Sequence, residues 1–202
     1  GTGSGKTSLI NLIPRFYDVR QGEVLVDGVD VKEYPFSQLR GMIGIVPQKA
    51  VLFKGTIRHN MQWRDKNATD EDIWNALDIA QAKDFVEKKP DKLDEMILQE
   101  GKNLSGGQRQ RLTIARALVG DPEILILDDS ASALDLATDA RLRKAIHEKT
   151  SGMTVFIVSQ RISSIKSADK IIVLDDGKIA GIGTHSELYK GCEVYKEICL
   201  SQ

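Results

Sequence analysis

Two short stretches of this chain carry residue types that could bring a phosphate, a metal ion and a water molecule together. Near the start, Gly3-Ser4-Gly5-Lys6-Thr7-Ser8 offers glycines that let backbone N–H groups close around an anion, a lysine that adds charge, and a threonine hydroxyl able to ligate magnesium. It reads as the end of a phosphate-binding loop, G-x-x-x-x-G-K-[ST]. Gly1 and Thr2 then belong to that loop, and its first glycine would stand one position before Gly1. A loop of this kind needs a carboxylate on the magnesium side. Ile124-Leu125-Ile126-Leu127-Asp128-Asp129 supplies one by ending an apolar strand in two acids, where α/β sheets bind their ligands. Asp128 would hold magnesium through water, and Asp129 would point toward a γ-phosphate. Taken separately, a glycine-rich end and an ordinary strand end entering a turn would look the same.

A third stretch, Leu104-Ser105-Gly106-Gly107-Gln108, heads a helix that begins by Arg109. Ser105 and Gln108 have capping-box spacing, so a helix cap is the plain reading. Two consecutive glycines in a first turn, however, cost helix stability that a cap alone would not require. They make sense where a phosphate must approach the backbone.

These residues need elements to position them. Ser8 to Ile13 reads as a short helix stopped by Pro14, and Glu23 to Val31 alternates around Asp27-Gly28, a hairpin signal. Met42 to Val46 reads as a buried strand. From Thr69, with Asp72 three residues on as a capping box, the stripe Ile73, Trp74, Leu77, Ala80, Phe85 predicts helix within a lobe spanning about 49 to 104. Beyond it come helix Gly106 to Val119, strand Ile124 to Leu127, helix Leu136 to Lys149, strand Thr154 to Val158, a short helix, and strand Lys170 to Leu174. Such alternation predicts an α/β fold with a mostly parallel sheet under helices. Asp176-Gly177 turns the chain, and Thr184 with Glu187 forms a capping box before the last helices.

The 202 residues, 41% of them hydrophobic, suffice for one domain or a core with a smaller lobe. Lys and Arg number 28 against 29 Asp and Glu, a balance that gives no electrostatic reason for a nucleic-acid partner. No apolar run nears the roughly 20 residues of a membrane span, so this polypeptide is expected to be soluble. Cys192 and Cys199 fit neither a metal motif nor a disulfide framework, and read as reduced thiols on one helix face. His59, His147 and His185 are scattered, with no further ligand at metal spacing.

In content and order, these motifs resemble the nucleotide-binding domain of ABC ATPases over the whole chain. The resemblance implies a RecA-like P-loop core, residues 1–48 and 105–202, with an inserted helical subdomain at 49–104. The strand feeding the phosphate loop and the adenine-stacking aromatic would then lie upstream of Gly1, and residues 1–202 alone would bind ATP poorly. It makes Gly1, Thr2, Gly3, Ser4, Gly5, Lys6, Thr7, Ser8, Gln48 and Asp128 the ATP-binding residues, with Thr7, Gln48 and Asp128 on the magnesium ion. Val46-Pro47-Gln48 corresponds to the Q-loop. Leu104, Ser105, Gly106, Gly107 and Gln108 form the signature that acts on a partner's ATP, and Ser132, Ala133, Leu134 and Asp135 form the D-loop. Leu52 to Asn60, and Gly177-Lys178-Ile179 leading into Gly183-Thr184-His185, resemble exporter domains. The implied partners are a second such domain, packed head to tail, and transmembrane domains at the cytoplasmic face of the membrane. A soluble ABC ATPase of the ribosome or DNA-repair kind is the poorer match.

Two positions depart from the family pattern. Asp129 stands where glutamate is usual, and Gln160 where histidine is usual. A carboxylate one methylene shorter sits roughly 1.5 Å back, and an amide carries neither the proton nor the charge of histidine. With the signature intact, the expectation is a degenerate own site in a heterodimer whose partner keeps the usual catalytic residues. The alternative is a nucleotide switch that binds ATP without turning it over.

Overall fold

The computed structural model describes residues 3–202; Gly1 and Thr2 of the phosphate loop lie outside the described residues. The chain divides into two compact units, one formed by residues up to Arg40 together with Ile157–Gln202, the other by Gly41–Phe156.

In the first unit, α1 (Lys6–Ile10) starts directly after Gly5, whose left-handed φ of 88° redirects the chain into the helix. The sequence pattern places this helix at Ser8 to Ile13, and the structure moves both ends. It begins at Lys6 because the glycine, not a side-chain cap, sets its direction. Leu12 and Ile13 then bond to carbonyls only three residues back, so the chain tightens before Pro14 is reached. β1 (Leu25–Val26) and β2 (Val29–Asp30) pair antiparallel across Asp27-Gly28, both with positive φ, the expected turn. The ladder is shorter than the alternating sequence, and Leu25 and Val29 stay exposed. α2 (Phe36–Gly41) buries Leu39 completely.

The second unit contains β3 (Ile43–Val46), β4 (Gly55–Thr56), α3 (Ile57–Met61), α4 (Asp70–Ile79), α5 (Lys83–Glu87), β5 (Met96–Ile97), α6 (Gly106–Leu118), β6 (Ile124–Asp128) and α7 (Leu136–Lys149), and β7 (Thr154–Val158) begins in it. β3 and β6 are parallel, with Ile43 opposite Ile124 and Val46 opposite Leu127; the sheet order is β3-β6-β7. Their near-continuous apolar runs are buried, as parallel strands require. α6 packs on β3 at Gly44, where even a methyl group would overlap the Ala117 carbonyl. Arg64 fastens the same junction by donating to the carbonyls of Gly41, Ile43 and Val119 at 2.6, 3.2 and 2.8 Å.

Thr69 and Asp72 form the expected capping box of α4. The apolar stripe does not continue through one helix to Phe85, however. Gln81 adopts φ 60° and the Ala82 N–H turns back to the Leu77 carbonyl at 2.8 Å, ending α4 before α5 begins.

The first unit resumes with α8 (Ile162–Ile165), β8 (Ile171–Asp175), β9 (Lys178–Gly183), α9 (His185–Gly191) and α10 (Glu193–Leu200). β8 and β9 are antiparallel around Asp176-Gly177, and Thr184 with Glu187 caps α9 as expected. Ile171, Val173, Leu188, Cys192 and Tyr195 form a core. The two cysteines do not share a helix: Cys192 occupies the break between α9 and α10, because the chain there turns extended and buries the thiol in that core. Among the described residues no helix is long and apolar enough to cross a membrane.

Candidate functional site: a phosphate loop, a carboxylate edge and a glycine-headed helix

The phosphate loop lies in the first unit. Gly3 and Gly5 have φ of 90° and 88°, and no atom lies within 4 Å of where a Cβ would stand on either. Side chains at these positions would be strained and would fill the space the glycines leave. Lys6 folds back so that Nζ donates to Ser4 Oγ at 2.7 Å. The donor set suits an anion with an attached hard cation: backbone N–H groups entering α1, an ammonium, and the hydroxyls of Ser4, Thr7 and Ser8. The residues present therefore fit a magnesium nucleotide. Gln160 belongs to the same unit, just past β7, and is exposed. Its carbonyl accepts from Gln202 Nε2, while Gln202 Oε1 accepts from the Ile162 N–H at 2.8 Å. That tie spans 40 residues or more, and no local spacing signals it.

The carboxylate edge lies in the second unit. Extending the β3–β6 register two residues past Val46 and Leu127 brings Gln48 level with Asp129. Gln48 Nε2 donates to Asp129 Oδ2 at 3.3 Å, joining residues 81 apart in sequence. Asp128 is buried at the last position of β6, and Asp129, at φ 47°, turns the chain out of the strand. Aspartate tolerates that left-handed conformation better than most residues.

At the head of α6 the capping box is present in full. Ser105 Oγ accepts from the Gln108 N–H at 3.2 Å, and Gln108 Oε1 accepts from the Ser105 N–H at 3.0 Å. Leu104 is buried beneath it. The two glycines are another matter. A Cβ on Gly106 would approach nothing closer than the Arg109 guanidinium at 3.8 Å, and one on Gly107 would meet the Ala133 carbonyl at an ordinary 3.5 Å. Neither has a positive φ. This chain's own packing and backbone therefore accept alanine at both positions.

The same contact brings the D-loop segment beside the signature. Leu134 is buried, and Asp135 caps α7, with Oδ1 accepting from the Thr138 N–H at 2.9 Å and Oδ2 from Thr138 Oγ1 at 2.7 Å. Those bonds hold the Asp135 carboxyl below the usual carboxylate range. Within each unit, then, the structure joins Lys6 to Ser4, Gln48 to Asp129, and the signature to the D-loop. The sequence did not reveal Gln110, one turn into α6, which is 2% exposed with an unpaired Nε2. Its position in line with Ile114, Ala117 and Leu118 on the buried face of α6 was the available signal.

A parallel sheet that ends in acids, a lysine-bearing glycine loop and a glycine-headed helix are features of nucleotide-binding α/β domains, and the comparisons agree. Residues 1–132 match the family described as ABC transporter, and the chain belongs to that family. Over its full length it is 46% identical to an uncharacterized ABC transporter ATP-binding protein of Mycobacterium tuberculosis, covering 35% of that protein. It is 42% identical over 98% of its length to a Staphylococcus aureus protein named for multidrug export as an ATP-binding/permease protein, covering 34% of it. A solved structure of a bacterial Atm1-family ABC exporter with ATP bound superposes at a TM-score of 0.95 with 36% identity, over 100% of this chain and 36% of that one. The fold is that of an ABC ATPase. The chain spans about a third of the length of these relatives.

Proposed function

We propose that this chain is the ATP-binding domain of an ABC exporter, that it pairs head to tail with a second such domain, and that its own site hydrolyses ATP weakly. Lys6 and the loop N–H groups would hold the phosphates, with Gly1 and Thr2 continuing that loop. Thr7, Gln48 and Asp128 would hold magnesium, which would supply positive charge to neutralise the phosphates. Asp129 and Gln160 occupy the positions that orient water and stabilise developing charge. Ser105, Gly106 and Gly107 serve the partner's nucleotide, and the D-loop links the two sites. Closure of the pair would drive transmembrane domains at the cytoplasmic face of the membrane to export a substrate.

One observation carries the pairing: two glycines in the first turn of α6 that this chain's own packing does not require. Glycine there costs helix stability, so the demand comes from a group approaching from outside the chain. The likeness to an exporter solved with ATP bound supports the nature of that group. The degenerate site rests on the short reach of Asp129, whose carboxylate is already engaged by Gln48. That engagement also favours a second reading, in which this domain is a nucleotide switch and only the partner turns over.

The test is Asp129→Glu combined with Gln160→His in the full-length transporter, with the partner's catalytic carboxylate disabled. Single-turnover hydrolysis is expected to rise on the order of 100-fold in the double variant, because roughly 1.5 Å of reach is restored where a misplacement of about 1 Å already costs that much, and less in either single variant. An unchanged rate would falsify the degenerate-site reading and leave the switch.

A further inference from the structure

Among the described residues only two buried side-chain atoms have no hydrogen-bond partner: Gln110 Nε2 and Arg116 Nη1. Both belong to α6, and Arg116 uses its other terminal nitrogen on the Val51 carbonyl at 2.9 Å. Gln110 lines a cavity of about 450 Å³, together with Gln48 of the Q-loop, the segment 49–51 that follows it, and Ser132 and Ala133 of the D-loop. With Gly106 and Arg109 it forms one face of the helix, at i, i+3 and i+4, toward that space. A buried amide left unpaired is less favourable than an apolar side chain of the same shape. A glutamine here is therefore explained by a partner it meets in another arrangement of the same loops. The segment following the Q-loop is the available source. Residues 47–51 lie outside helix and strand, so their carbonyls are not engaged in a ladder, and Arg116 already ties Val51 to α6.

We propose that Gln110 is a positioning residue. When nucleotide binding draws the Q-loop and the segment after it toward α6, Nε2 donates to a backbone carbonyl of Lys49 or Ala50, fixing the signature helix relative to Gln48. This rests on the functional reading above. Gln110 touches no substrate; it acts through the relative placement of Gln48 and Gly106, which both line the cavity.

The experiment compares Gln110→Met, which keeps the volume and removes the donor, with wild type and with Gln110→Glu, in the full-length transporter paired with its partner domain. A purely structural role predicts a lower Tm, with activity falling only as the folded fraction falls. The positioning role predicts a Tm for Gln110→Met equal to or above wild type, kcat lower by about tenfold or more, and KM for Mg-ATP unchanged. Amide hydrogen exchange at residues 49–51 should slow on adding Mg-ATP to wild type, and not in Gln110→Met or Gln110→Glu. A Gln110→Met variant with kcat within twofold of wild type, or with wild-type protection of residues 49–51, overturns the proposal. A wild-type complex that neither binds nor hydrolyses Mg-ATP overturns the functional reading itself, and this one with it.

Discussion

The first turn of α6 and the end of β6 sit in the same compact unit, yet their residues are used in opposite directions. At α6 the side chains of Ser105 and Gln108 are engaged in capping within the chain, while at Gly106 and Gly107 a Cβ would make only ordinary contacts, so nothing in the chain demands glycine there. Just past β6 the Asp129 carboxylate accepts a hydrogen bond from Gln48, and it is one methylene shorter than a glutamate would be. One end carries glycines its own fold does not require, and the other, in the reading proposed above, carries a carboxylate of short reach. A domain that serves its partner's nucleotide better than its own would show this division.

The largest expected effect separates the two ends directly. Ser105→Arg would put a bulky cation at the proposed meeting point with the partner's nucleotide, and steady-state ATPase of the paired complex is expected to fall nearly to zero. Asp129→Asn removes a carboxylate already set back, and should cost far less than the same change at the partner's catalytic carboxylate. If Asp129→Asn silences the complex as fully as Ser105→Arg does, the two ends are equivalent and the comparison fails.

Gly107→Ala sharpens it further. Because a Cβ at this position would make only ordinary contacts, thermal unfolding of the domain should be unchanged or improved by up to about 1 kcal/mol, the helix preference of alanine over glycine. Turnover by the complex should still fall, on the order of 100-fold if the displaced group moves by about 1 Å. A loss of stability instead would mean the glycine is there for packing.

The smallest effect concerns the caps. Asp72, Asp135 and Glu187 each accept bonds at a helix N-terminus that hold their carboxyls below the ordinary range. A carboxyl with a depressed folded pKa stabilises the fold above its unfolded value, near 4, and loses that contribution as pH falls through the lower folded value. Acid titration of Asp135→Asn should accordingly show a shallower stability loss below about pH 4 than wild type, and the same slope near neutrality.

Elements announced by side-chain chemistry were legible in the sequence. Helix 136–149 and strand 154–158 occur with the expected bounds, and the three capping boxes at Thr69, Ser105 and Thr184 form as their spacing indicates. What escaped were features decided by backbone conformation in residues that do not announce it. Gln81 takes a left-handed turn usually given to glycine, so the apolar stripe ran on past a break. Contacts between distant segments were equally hidden: the pairing of Gln48 with Asp129 follows from strand register, and the burial of Gln110 from how α6 lies on its neighbours. The phosphate-loop and signature residues stood out as candidates through glycine and lysine at fixed offsets taken together, not through any one stretch alone.

Arg64 and Gly44 hold the C-terminal end of α6 flush against β3, and this gives the helix the mechanics of a lever with a fixed fulcrum. Its 13 residues set the opposite end about 18 Å away at 1.5 Å per residue. A tilt of about 5° at the fulcrum would carry that end through roughly 1.6 Å. Gly106 and Gly107 are therefore at the place where any such rotation would produce its largest displacement.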